Sequence, residues 1–145
     1  MVGRVKPSAP IAVLFLLAGM VPHLLAQKTP TFDVTGPTII AFFPPVTDAE
    51  LRKDPDTNEA LSDFQYYAGQ VREPLAKRGI TLKEVYVDAF TVRQGKVTTM
   101  FGTKTMKVGY CLATPGKEPY VQIGVLTDAD LLQLADKYFD KTKKK

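Results

Sequence analysis

The chain has one cysteine, Cys111, one histidine, His23, and no tryptophan among its 145 residues. A lone cysteine forms no internal disulfide, no Cys-x-x-Cys redox pair and no cysteine-rich zinc site. His23 lies in an N-terminal segment with the marks of a removable signal. The mature chain is therefore expected to hold no imidazole, which removes Ser-His, Cys-His and His-metal schemes. There is no glycine-rich phosphate loop, no nucleophile elbow and no Asn-x-Ser/Thr acceptor. No internal repeat appears, and no low-complexity segment except a run of lysines at the end.

What remains is a composition of 45% hydrophobic and 23% charged residues, the balance of one globular domain. Residues 1–26 have the form of a secretory signal. Arg4 and Lys6 precede an unbroken apolar run, Ile11 to Leu17, and Leu24-Leu25-Ala26 suits a signal peptidase. The competing reading is a membrane anchor, which needs roughly 20 apolar residues; Pro22 and His23 interrupt the stretch. Cleavage after Ala26 is expected, giving a periplasmic or secreted protein.

The formal net charge is +4. The signal carries two of those positives, and Lys141, Lys143, Lys144 and Lys145 exceed the rest. The body is thus slightly acidic, which argues against nucleic acid as a partner. The tail, 141–145, reads as a solvated end or as a weak contact for an anionic surface.

Residues 27–36 are expected to be a flexible lead-in carrying at most a short edge strand at Phe32 to Val34. Residues 37–140 form the single domain. Thr38 to Phe43, bounded by Gly36-Pro37 and Pro44-Pro45, fits a strand buried on both faces. Val46 to Asp56 reads as a loop or short helical turn. Leu61, Phe64, Ala68, Val71 and Leu75 then share one helix face, with Asp56 or Thr57 as cap, Pro74 inside, and Gly79 as the stop. Leu82 to Asp88 is a strand. Segments 89–93 and 96–101 flank Gln94-Gly95 as a β-hairpin. Val108 to Thr114 and Tyr120 to Val125 form a second hairpin around Pro115-Gly116-Lys117. Thr127-x-x-Asp130 then opens a last helix, with Leu131, Leu134, Ala135 and Tyr138 inward.

The order strand, helix, strand, hairpin, strand, strand, helix reads as an α/β fold, and it resembles the thioredoxin fold. Thr38 to Phe43 stands where that family has its central strand. Val71-Arg72-Glu73-Pro74-Leu75 resembles the family's kinked helix, and Val108 to Phe139 its closing ββα unit. The resemblance implies a central mixed β-sheet flanked by helices, here with an extra β-hairpin in mid-chain. It also locates departures. Pro44-Pro45-Val46-Thr47 occupies the redox turn without a cysteine, and Gly109 stands where the family has its cis-proline. The implied protein is a thioredoxin-like scaffold without dithiol chemistry.

Candidate sites follow. Cys111 is the only thiol and the only candidate for catalysis, as a monothiol redox or peroxide-handling centre; a buried structural cysteine is the competing reading. Pro44 and Pro45, Gly109 and Tyr110 are binding candidates from the resemblance. Tyr66 and Tyr67 cannot both face the core, so they join the candidates as helix aromatics, and Tyr86 and Phe90 are further aromatics of interest. Asp54-x-Asp56-x-Asn58 opens like a calcium loop but has Glu59 and Gln65 where Gly and Glu are needed. Glu59 and Asp63, four apart, read as a solvated pair. No cofactor or metal is expected. The functional expectation is an exported, non-catalytic domain that binds a protein or envelope component; the alternative is an enzyme using Cys111.

Overall fold

The computed structural model describes residues 29–102 and 107–140. The expected signal, residues 1–26, and the lysines of 141–145 lie outside the described residues. In chain order the elements are β1 (Thr31–Asp33), β2 (Thr38–Phe43), α1 (Asp48–Lys53), α2 (Pro55–Lys77), β3 (Thr81–Tyr86), β4 (Ala89–Gln94), β5 (Val97–Gly102), β6 (Gly109–Thr114), β7 (Lys117–Ile123) and α3 (Asp128–Phe139).

The strands form an α/β arrangement with two mixed sheets. One is ordered β3-β2-β6-β7, with β2 and β3 parallel and the other pairs antiparallel; the second is ordered β1-β4-β5. Parallel β2 and β3 need a crossover, and α2 supplies it. The period of two along β2 then sorts its side chains. Ile39, Ala41 and Phe43 join the cluster under the helices, with Phe64, Ala68, Val71, Leu75, Leu131 and Ala135. Ile40 and Phe42 face the second sheet, against Val34, Phe90 and Val92. The result is three layers: helices, four-stranded sheet, three-stranded sheet. All six residues of β2 are buried, as its unbroken apolar run requires. Each Ile or Phe so buried contributes about 1.5–3 kcal/mol.

Four expectations need correction. A single central sheet was expected, but the mid-chain hairpin, β4 and β5, lies across the face of the four-stranded sheet, because Phe90 and Val92 bury there. The short edge strand expected in the lead-in lies one residue earlier, at Thr31–Asp33. β1 pairs in parallel with β4, Val34 N–H donates to the Arg93 carbonyl at 2.8 Å, and Val34 is buried. The first long helix starts earlier than Thr57. Asp54 is its cap and Pro55 its first residue, the position where a missing N–H costs nothing. Lastly, β7 begins at Lys117 rather than Tyr120. Gly116, at φ +81°, follows Pro115 in a turn that needs a left-handed third residue, so pairing resumes at once with Thr114 opposite Lys117.

Candidate functional site

The C-terminal end of β2 is the first candidate, since the resemblance puts a redox turn there. Pro44 and Pro45 stop the strand because neither donates a ladder hydrogen bond. Thr47 then starts α1 with a full capping box. Its Oγ1 accepts from Glu50 N–H at 3.1 Å and its own N–H donates to Glu50 Oε1 at 2.9 Å. Asp54 caps α2: Oδ1 accepts from Thr57 N–H at 3.3 Å and Oδ2 from the Thr57 hydroxyl at 2.6 Å. The Thr57 hydroxyl, with the backbone bond, holds the Asp54 carboxyl below its ordinary range. The acids read as the start of a calcium loop thus serve helix entry. Among the described residues, no three His, Cys, Asp or Glu side chains converge to hold a metal.

Gly109 lies beside this turn, opposite Phe42 of β2. It is buried and offers no exposed surface. A Cβ there would sit 2.5 Å from the Gln122 carbonyl oxygen and 2.8 Å from Phe42 Cζ. The position is a close approach between β6, β7 and an aromatic ring, which accounts for glycine. Tyr110 is buried too, and its hydroxyl accepts from Leu126 N–H at 3.2 Å, fixing the β7–α3 loop. Burial pushes its phenol up. Gly109 and Tyr110 are therefore packing residues rather than binding residues. Phe90 is buried likewise.

Pro45 does reach the surface. With Val46, Leu51, Leu61 and Tyr86 it lines an open, mostly apolar groove of about 340 Å³, to which Asp48 and Gln65 add polar groups. Tyr86 is its polar lip: the hydroxyl donates to Glu84 Oε2 at 3.0 Å and accepts from Gln65 Nε2 at 3.2 Å. Partial burial raises its pKa. Pro44 is half-buried and does not line this groove. Tyr66 and Tyr67 do not line it; their rings meet edge to face at 5.3 Å on α2, and Tyr66 is 61% exposed.

Cys111 sits at the middle of β6, flanked by β2 and β7 and packed with Ile40, Phe42, Phe90 and Ala113. None of its surface is exposed. Burial pushes the thiol up to about 12. A nucleophilic sulfur needs a stabilised thiolate and access; this one is protonated at neutral pH and sealed.

A second cluster, at the opposite end of the sheet, was not assembled by the sequence. Lys117 Nζ lies 4.0 Å over the Tyr138 ring and donates to the Tyr138 carbonyl. The Tyr138 hydroxyl donates to the Glu118 carbonyl at 2.5 Å, and burial pushes that phenol up to about 12. Lys117, Tyr120, Leu134, Lys137 and Tyr138 line a groove. The only signal in the sequence was Tyr138, read as part of the inward stripe; Lys117 comes from 20 or so residues earlier, and only the β6–β7 turn brings it there.

No family model, curated protein or solved structure matches the chain. Among the described residues no helix is long and apolar enough to cross a membrane. The expected cleavage site after Ala26 and the tail lysines lie outside the described residues.

Proposed function

We propose that the chain is an exported binding protein of the cell envelope, built on a thioredoxin-like framework without that fold's thiol chemistry. The strand order β3-β2-β6-β7, with a helical crossover and a closing ββα unit, supports the framework. The stretch after β2, where the family would carry its thiols, is given to two prolines and a capped helix. The signal-like residues 1–26 support export.

The observation that carries the reading is the placement of Cys111. The only sulfur of its type is in the sheet interior with its proton held to about pH 12. The alternative, a monothiol enzyme, requires that same atom to be exposed and ionised. The contact surface is apolar rather than reactive: Pro45 and Tyr86 border a groove, and Tyr66 projects from α2.

The test has two parts. The intact mass of the protein recovered from its source should correspond to a chain starting at Gln27. In a thiol–disulfide exchange assay that protein should show no turnover beyond a Cys111→Ala variant. A chain retaining Met1, or turnover that disappears with Cys111, overturns the proposal.

A further inference from the structure

We propose that β5 is a self-pairing edge: two copies of the chain join antiparallel along it and form one continuous sheet, ordered β1-β4-β5-β5-β4-β1. This goes beyond the envelope-binding reading above and depends neither on export nor on the state of Cys111.

The ladder decides which groups β5 leaves open. Thr91 N–H donates to the Pro30 carbonyl at 2.8 Å, and the Arg93 carbonyl accepts from Val34 N–H at 2.8 Å. Thr91 and Arg93 thus direct their main chain toward β1. Phe90, Val92 and Gln94 therefore bond toward β5, where Phe101, Thr99 and Val97 stand opposite them. The residues between, Thr98 and Met100, point N–H and C=O away from β4. β5 is the end of its sheet, so no described strand meets those groups. Such a row of strand groups is a template for another strand.

The other sheet edges are blunted. β1 is three residues long and carries the Asp33–Arg93 ion pair. On β3, Lys83 and Glu84 are charged, and Arg72 Nη1 donates to the Leu82 carbonyl at 3.1 Å. β7 opens with Lys117-Glu118-Pro119, and proline donates nothing to a ladder. β5 reads Val97-Thr98-Thr99-Met100-Phe101-Gly102, with neither charge nor proline. Its Val97 is 60% exposed and its Met100 69%.

Register and charge name a second copy as the occupant. A two-fold axis at Thr99 sets Thr98 of each copy opposite Met100 of the other, and the open groups of both then pair with each other. The same register lays Val97 against Phe101 of the second copy. That is an apolar–aromatic cross-strand pair, on the face where Phe101 already packs against the buried cluster. Lys96 falls opposite Gly102 of the second copy, whose neighbour on β4 is Ala89, next to Asp88. Two strand spacings, about 10 Å, separate Lys96 from that Ala89, a gap that a lysine and an aspartate side chain span. Lys96 and Asp88 are both exposed, and neither is in an ion pair among the described residues. The symmetry makes each contact twice. It uses the β5 edge of both copies and leaves the short β1 outermost, so assembly closes at two.

The experiment is sedimentation velocity of the processed protein over a concentration series. A reversible monomer–dimer equilibrium is expected. Thr98→Lys with Met100→Lys sets like charges opposite at both pairs and should weaken the dimer about tenfold. Thr98→Lys with Met100→Glu sets opposite charges there and should bring the dimer back. Both side chains are exposed, so circular dichroism should report an unchanged fold. An independent readout is Thr99→Cys made together with Cys111→Ala. The new sulfurs sit at the axis, where Cα atoms of a non-hydrogen-bonded pair are about 4.5 Å apart, and mild oxidation should link two chains. A monomer at every concentration, with no link through Thr99→Cys, overturns the proposal. So does a dimer that Thr98→Lys with Met100→Lys leaves intact, or a loss that Thr98→Lys with Met100→Glu fails to reverse. Growth beyond two copies overturns it as well.

Discussion

Adding one methyl group at Gly109 tests the packing account most sharply. The new Cβ would lie 2.5 Å from the Gln122 carbonyl oxygen, 2.8 Å from Phe42 Cζ and 3.2 Å from Ile123 Cα. Two of these three are backbone atoms of β7, so no rotamer change relieves them. The third belongs to a fully buried ring, which is held in turn by Phe90 at 5.4 Å between centroids. Overpacking of this kind costs about 1–3 kcal/mol, and Gly109→Ala should fall at the upper end, about 3 kcal/mol. That is a large part of the roughly 5–15 kcal/mol a domain possesses, and it should lower the melting temperature by about 10 °C. Gly69→Ala is the matched control. Gly69 lies in α2 with nothing within 4 Å of the added Cβ, so the change should stabilise by about 0.5–1 kcal/mol. Urea melts followed by far-UV circular dichroism measure both. If Gly109→Ala costs less than about 0.5 kcal/mol, the close approach at β6 is wrong.

Other outcomes follow from particular contacts. Gln94 Nε2 donates to the carbonyls of Thr114 at 2.7 Å and Lys117 at 2.8 Å, tying the second sheet to the β6–β7 turn; Gln94→Ala should cost about 1–3 kcal/mol in a urea melt. Tyr110→Phe removes the acceptor for Leu126 N–H and should cost about 1 kcal/mol by the same measurement. Stability should also fall in alkali. The Cys111 thiol ionises near 9.0 when unfolded and near 12 when folded. The unfolded chain thus releases its proton first, and stability present below pH 9 is lost as pH rises toward 12, by about 1.4 kcal/mol per pH unit. Equilibrium melts across that range should show a shallower slope for Cys111→Ala.

How far the sequence could be read depended on whether a feature was local. The unbroken run Thr38 to Phe43 announced a strand covered on both faces. The stripe through Phe64, Ala68, Val71 and Leu75 announced α2, and all four residues are buried. Thr127 announced the start of α3, its side chain accepting from Asp130 N–H at 3.2 Å. The boundaries that failed rested on ambiguous signals. Asp54-Pro55 reads as a loop dipeptide, yet the same pair suits a helix cap and first turn. Thr47-x-x-Glu50 is a capping box whose short helix, α1, buries nothing, so no apolar stripe marked it.

Pairings between distant segments were not legible at all. β1 joins β4 in parallel across about 60 residues, and one-face alternation in Phe90 and Val92 says that something covers them without saying what. The same limit governed the site. The reading of Gly109 as a binding residue came from its place in a resemblance, whereas its reason lies in the position of Phe42, which the sequence does not fix. Pro45 and Tyr86 are 41 positions apart and meet because Phe43 is registered with Tyr86. Lys117 and Tyr138 meet through a turn and a helix end.

The measurement closest to the centre of the account is alkylation of Cys111 in the folded, processed protein at neutral pH, followed by mass spectrometry. The expected result is no adduct until denaturant is added, then complete labelling, because the sulfur is sealed between two sheets and protonated. Rapid labelling of the native protein would place an accessible thiolate on its surface. It would return the chain to the thiol enzymes and remove the ground for reading it as a binding protein.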